Sequence, residues 1–222
     1  MKLFSIYEHM EKGAEKVPVG ANCKIVFRHS IREKIEDGIG REVRLTNEGK
    51  ELARSFGRGL GYDIGFFATS TCDRNIQTSN EILFGKGVKK DLVKAHKELE
   101  CPQTKDRALS DTIFKEMNFR SEKIILKLNT EGLPGFNSIP EAAKIMLDFI
   151  FSNGNKAKTV DLFCTHDFQM AILYAYLFDF AKTQQSIDEN KWPMMLEGMI
   201  FWGTRNHFLC SWRGEIKEFI NA

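Results

Sequence analysis

Val26-Phe27-Arg28-His29-Ser30-Ile31-Arg32 sets a histidine between arginines where an apolar run gives way to polar residues. The stretch before it, Cys23 to Phe27, has strand character, so the segment predicts a strand with Arg28 and His29 at its carboxyl end. The pattern recurs downstream, where the strand-like Thr159 to Cys164 leads into Thr165-His166-Asp167. In an open α/β sheet, ligands bind beyond the carboxyl ends of the strands. A histidine nitrogen attacks phosphorus only when unprotonated, and neighbouring guanidinium groups favour that neutral form while drawing in a phosphate dianion. The two histidines therefore predict one phosphate pocket and phosphoryl-transfer chemistry.

Between them, Thr71-Cys72-Asp73-Arg74-Asn75-Ile76-Gln77-Thr78 follows the apolar run Ile64 to Ala68 and opens a helical stretch ending near Gly85, which puts a third arginine at a third strand end. With these residues the chain resembles the histidine phosphatase superfamily. That family's signature is Arg-His-Gly after the first strand, Arg-x-x-Gln-Thr after the second, and a late second histidine. Arg28-His29, Arg74 with Gln77-Thr78, and His166 match it in order. Leu45-Thr46-Asn47-Glu48-Gly49-Lys50 resembles the family's Leu-Thr-x-x-Gly helix entry, and the resemblance runs from about Cys23 through Arg213. Arg32 and His166-Asp167 are more similar to the acid-phosphatase branch, with its Arg-His-Gly-x-Arg and His-Asp motifs, than to the mutase branch. Two departures stand out. Ser30 occupies the place of the glycine, and Arg32 is followed by Glu33-Lys34 where that branch often has proline.

The expected architecture is α/β: a doubly wound, mostly parallel central sheet flanked by helices on both faces, with a small helical cap insertion. A chain of 222 residues fits one domain, here 1–222. Thr46 to about Leu60 reads as a helix with Thr46 as N-cap, ended by the glycines at 57, 59 and 61. Ile64 to Ser70 and Leu92 to His96 read as strands. Residues 101 to 138 are read as the cap, with a helix from about Ile113 to Leu128. Ser138-Ile139-Pro140-Glu141 is a capping box that starts the next helix. Asp167 opens a helix running to Phe180. Met199 to Thr204 and Phe208 to Trp212 read as an antiparallel pair at one sheet edge.

The resemblance implies a role for each site residue. His29 is the nucleophile, forming a transient phosphohistidine. Arg28, Arg32 and Arg74 bind the phosphoryl oxygens with forked donors, although surface pairing with Glu33 or Glu36 is the competing reading for Arg32. His166 completes the cradle as a donor. The Ser30 hydroxyl either crowds the pocket or donates to a phosphate oxygen. Asp167 serves as general acid, with helix capping as its competing role, and in the mutase-like branch Glu98 or Glu100 takes that part. His9, His96 and His207 are read as surface or packing residues. Trp192 to Glu197 is read as core, or as a loop beside the pocket with Glu197 as a substrate contact.

The formal charge of +2 and interspersed lysines and glutamates give no basic stripe for a nucleic-acid backbone. No run is long and uncharged enough to span a bilayer, and Met1 to His9 lacks a signal-like apolar region, so a cytoplasmic protein is expected. Five cysteines without Cys-x-x-Cys spacing read as buried free thiols. Neither a metal nor another cofactor is called for, and the expected partner is a small-molecule phosphate ester. The chain thus reads as a phosphomonoesterase, with a phosphomutase of the same fold and a catalytically impaired phosphate-binding or adaptor protein as alternatives. The substrate and the oligomeric state are not legible.

Overall fold

The computed structural model describes residues 1–221 apart from 4, 37, 39, 89–91 and 183. Seven strands form one sheet in the order β3-β2-β4-β1-β5-β6-β7. They are β1 (Cys23–Arg28), β2 (Asp63–Thr69), β3 (Val93–Ala95), β4 (Thr159–Thr165), β5 (Gly198–Thr204), β6 (His207–Trp212) and β7 (Glu215–Ile220).

The expectation of a mostly parallel sheet is corrected. The first four strands are mutually parallel, whereas β5 pairs antiparallel with β1 and continues through β6 and β7 as an antiparallel meander. The expected terminal pair is therefore three strands, and the edge belongs to β7. Its Glu-Ile-Lys-Glu-Phe-Ile stretch is mostly exposed and charged, which keeps a sheet edge from pairing with another chain and also hides it from a search for apolar runs.

Period-two alternation sends the central strands' side chains to two cores. Ile25, Phe27, Val160 and Leu162 join one, with Met10, Phe56, Ile82 and Leu83, which come from α1 (Glu8–Glu15), α2 (Asn47–Gly59) and α3 (Asp73–Lys86). Val26 and Phe163 join the other, against α5 (Ser121–Thr130), α6 (Ile139–Ser152) and α7 (Asp167–Phe178). Helices thus cover both faces. α4 (Arg107–Glu116) precedes α5, and α8 (Gln184–Asn190) follows α7.

Thr46 caps α2 by accepting from the Gly49 amide, and Ser138 and Glu141 form a capping box on α6. Gly57 lies inside α2 and Gly59 is its last residue, so the helix ends among the glycines as expected. A Cβ on Gly57 would meet the Ile82 carbonyl oxygen at 2.1 Å, and one on Gly85 would meet that of Arg54 at the same distance. These glycines let α2 and α3 approach backbone to backbone. The helix expected over Ile113–Leu128 is two helices, because Asn118 and Phe119 take left-handed φ values of 51° and 54° and turn the chain between α4 and α5.

A buried ion pair ties β1 to β4 at the end away from the two histidines. Lys24 and Asp161 are register partners, and Lys24 Nζ donates to Asp161 Oδ2 at 2.9 Å and to the Asn153 carbonyl at 2.8 Å. That carboxylate oxygen also accepts from Asn22 and from the Asn155 amide. No helix among the described residues is long and apolar enough to cross a membrane. All five cysteines are free, four of them buried and Cys101 partly so.

Candidate active site

Strand register builds the site. Arg28 of β1 is the partner of Thr165 of β4, so His29 and His166 each lie one residue past adjacent parallel strands. The His29 amide donates to the Thr165 carbonyl at 3.0 Å, and the two rings meet edge-on with centroids 5.5 Å apart. Thr69 of β2 is the partner of Cys164, which brings Ser70 to the same edge and starts α3 over it, with Arg74 in the first turn. α7 starts immediately after His166. Two helix N-termini thus face the cluster, and their partial positive charge favours an anion there.

His29 is almost fully buried, and its Nδ1 lies 2.8 Å from the Ser30 carbonyl oxygen. A carbonyl only accepts, so Nδ1 carries the proton and Nε2 keeps its lone pair. That lone pair receives a hydrogen bond from Arg74 Nε at 3.2 Å. Arg74 Nη2 reaches His166 Nδ1, also at 3.2 Å, and Nη1 donates to the Gly40 carbonyl at 2.6 Å. The far side of His166, Nε2, is 2.7 Å from Ser70 Oγ. Burial is the main influence holding His29 well below an ordinary imidazole pKa, with His166, Arg28 and Arg74 acting the same way. His166 is lowered as well, by burial and then by Arg74. Both rings are therefore neutral near pH 7.

Arg28 spans the site floor, donating from Nη1 to the Pro193 carbonyl at 2.6 Å and pairing through Nη2 with Asp167 at 3.2 Å. Its Nε is buried without a hydrogen-bond partner among the described residues. Asp167 Oδ2 also accepts from Trp192 Nε1 at 3.0 Å, and Oδ1 from the Phe168 amide at 2.9 Å. Burial alone would raise this carboxyl, but Arg28, Trp192 and His166 outweigh it and hold it below the ordinary value.

Arg32 lines the cavity half-buried and donates to the Glu33 carbonyl rather than to the Glu33 or Glu36 carboxylate. Its guanidinium feels burial first and then repulsion from Arg74 and Arg28. The cavity, about 310 Å³, is lined by Arg28, His29, Arg32, Arg74, His166 and Asp167, and beyond them by residues of the 101–122 segment.

Ser30 is not brought into the pocket. It is fully buried, its hydroxyl donates to the Gly49 carbonyl at 2.7 Å, and it does not line the cavity. The structure thus removes both crowding and phosphate donation from its side chain, because the first turn of α2 supplies a nearer acceptor. Gln77 and Thr78 are likewise structural: they accept from the amides of Leu45 and Ser30. Glu98 is partly exposed beside His96 and lies off the cavity. Glu100 lines the cavity and accepts from Arg41 and Thr71.

Glu197 is not a substrate contact. It is fully buried behind the site, where its Oε1 and Oε2 each accept from Arg213 at 2.8 Å, and it does not line the cavity. Burial opposes its charge, yet Arg213, His9 and the Met194 amide hold its pKa at about 2. This clamp fixes the 191–197 loop that delivers Trp192 to Asp167. His9, His96 and His207 stay off the cavity.

Sequence reasoning passed over Ser70, Arg41 and Thr71 as site residues and offered Trp192 only within a loop beside the pocket, since each matters through a partner far away in the chain. Among the described residues no group of three or more histidine, cysteine or carboxylate side chains is arranged to hold a metal ion.

The mixed seven-stranded sheet with helices on both faces matches the phosphoglycerate mutase-like fold. Similar solved structures are YhfR from Bacillus stearothermophilus, 16% identical with a TM-score of 0.58 over 89% of this chain and 98% of that one. Another is a phosphoserine phosphatase from Entamoeba histolytica in complex with 3-phosphoglyceric acid, 19% identical with a TM-score of 0.53 over 81% and 90%. A mycobacterial glucosyl-3-phosphoglycerate phosphatase in complex with inorganic phosphate is 14% identical, with a TM-score of 0.51 over 91% and 98%. At such identities the likeness is one of fold. No protein-family model matches the sequence, and no curated protein does.

Proposed function

We propose that this chain is a phosphatase that hydrolyses a small phosphomonoester through a phosphohistidine on His29. The observation that carries the reading is the His29 ring. Its Nδ1 proton is tied to the Ser30 carbonyl, leaving the Nε2 lone pair among Arg28, Arg32, Arg74 and His166. Nε2 attacks phosphorus, the P–O ester bond breaks, and its electron pair leaves with the alkoxide, which takes a proton from the general acid. Water then attacks phosphorus. The N–P bond breaks, its pair returns to Nε2, and phosphate departs. The arginines neutralise the phosphoryl oxygens throughout, which is where most of the rate enhancement of such a reaction arises.

Asp167 is the acid in this reading. Arg28 and Trp192 favour its ionised form; an arriving phosphate dianion competes for Arg28 and raises the carboxyl towards protonation. Glu100 is the rival, since it too lines the cavity. The Arg32 and His166-Asp167 arrangement keeps the reading nearer the acid-phosphatase branch, and α4 and α5 act as the cap that selects the ester.

The test is phosphate release from alkyl and aryl phosphates by wild type and His29→Ala, with acid-quench trapping of labelled phosphoenzyme. Release and labelling that depend on His29 support the proposal. Release that survives in His29→Ala would sink it, and a bisphosphate requirement for turnover would favour the mutase.

A further inference from the structure

Beyond the phosphate cluster the cavity wall has two kinds of surface. Its polar groups are mostly bonded to one another. Arg107 holds Asp111 at 3.0 Å, Arg41 holds Glu100 and Thr71, and Gln169 Nε2 donates to the Glu100 carbonyl at 2.6 Å and to Gln103 at 3.0 Å. A polar leaving group would compete with these bonds, Gln169 Oε1 being the one buried acceptor on this wall left without a partner among the described residues. The aromatic surface carries no such cost. Phe114, Phe119 and Phe168 all line the cavity, with Phe114 stacked on Phe119 at 6.5 Å and tilted against Phe168 at 5.5 Å. Phe114 and Phe119 remain half-buried, their faces not fully covered by protein.

Phe119 is held there at a backbone cost. It has φ of 54°, follows Asn118 at 51°, and its amide closes the turn onto the Phe114 carbonyl at 2.7 Å. A bulky residue in left-handed conformation is uncommon, and glycine would take the position with less strain. What the strained turn achieves is to carry a ring from the end of α4 back over the cavity.

We infer that the leaving group of the substrate is aromatic, a single ring joined to the phosphoryl oxygen directly or through one carbon, packed against Phe119 and Phe114. This rests on the phosphatase reading for the phosphoryl half of the site. The volume of about 310 Å³ suits a phosphoryl group and one ring. The arginines on this wall, Arg107 and Arg41, are already paired with Asp111 and Glu100, so the wall offers no unpaired arginine for a second anionic group.

Binding is measured calorimetrically with benzylphosphonate and ethylphosphonate, which share a phosphonate and differ by the ring, on wild type, Phe119→Gly and Phe114→Leu. Wild type is expected to bind the benzyl compound about tenfold more tightly, the scale of one buried, stacked ring. Phe119→Gly, which deletes the ring and relaxes the turn, is expected to bring that ratio to about threefold or less. Equal affinities in wild type, or a ratio untouched in both variants, would overturn the inference. Its failure is separable from that of the phosphatase reading: a tenfold preference in binding with no phosphate released from benzyl phosphate would leave aromatic recognition standing and remove the catalysis.

Discussion

Arg74 Nε stands 3.2 Å from His29 Nε2, while the same guanidinium's Nη2 stands 3.2 Å from His166 Nδ1. One planar fork thus fixes the spacing of both rings and sets its charge beside the His29 Nε2 lone pair. A lysine has a single nitrogen and cannot serve both rings. Arg74→Lys is expected to lower kcat by about two to three orders of magnitude, the usual loss for one aligned donor in a charge-stabilising site. Steady-state kinetics, with circular dichroism to confirm folding, checks it.

Both histidines have pKa values lowered in the folded protein, so the unfolded chain takes up protons that the folded one refuses. Their contribution is fully present above the unfolded value of about 6.5 and is lost as pH falls below it towards the folded values. Each histidine costs up to about 1.4 kcal/mol per pH unit in that window. Melting temperature measured from pH 7 to pH 4 is expected to fall more steeply for wild type than for a His29→Asn, His166→Asn double variant.

Trp192 Nε1 holds Asp167 Oδ2 at 3.0 Å and lowers its pKa. Trp192→Phe keeps the ring and removes the donor, so the Asp167 carboxyl rises. With Asp167 as general acid, the alkaline limb of kcat/KM moves to higher pH on an ester with a poor leaving group. An unmoved limb would transfer the acid role to Glu100, and Glu100→Gln would then be the variant that loses activity on that ester.

Ser30 spends its hydroxyl on the Gly49 carbonyl rather than on the pocket. Ser30→Gly is expected to cost about 1 kcal/mol of stability, the value of one buried hydrogen bond with some added chain entropy, and to change kcat by no more than about threefold. Denaturant unfolding and steady-state rates measure the two effects side by side.

Asp161→Ala leaves the Lys24 ammonium buried without its counter-charge at the far end of the sheet. About 3 kcal/mol of destabilisation is expected, and Lys24→Met combined with Asp161→Leu should recover most of it. Chemical denaturation of wild type and the two variants tests this, with phosphate release by the refolded double variant as the control for an intact site.

The strand ends could be read from the sequence because they depend on local facts. Apolar residues run from Cys23 to Phe27 and from Thr159 to Cys164, and each run breaks at a histidine. The same holds for the Thr46 cap and the Ser138 to Glu141 capping box, where residues three apart satisfy one another. Arg28, Arg32, Arg74 and Asp167 could be named as candidates because their motifs are contiguous. The structure brings these four around the two histidines.

The tertiary structure decided what depends on partners distant in sequence. Whether Ser30 faced the phosphate or the helix was settled by how closely the first turn of α2 packs, at Gly49. The ionisation of Asp167 was settled by Trp192, on a loop held by the Glu197–Arg213 clamp; the sequence offered that loop as a neighbour of the pocket but not its bond to Asp167. β7 and the break between α4 and α5 escaped sequence reading for a related reason: an exposed charged edge strand lacks an apolar signal, and a left-handed Asn118-Phe119 turn has no glycine to announce it. Local propensity and apolar periodicity act over a few residues and so are written in the chain, whereas hydrogen-bond partners and side-chain facing are fixed only when distant segments are packed together.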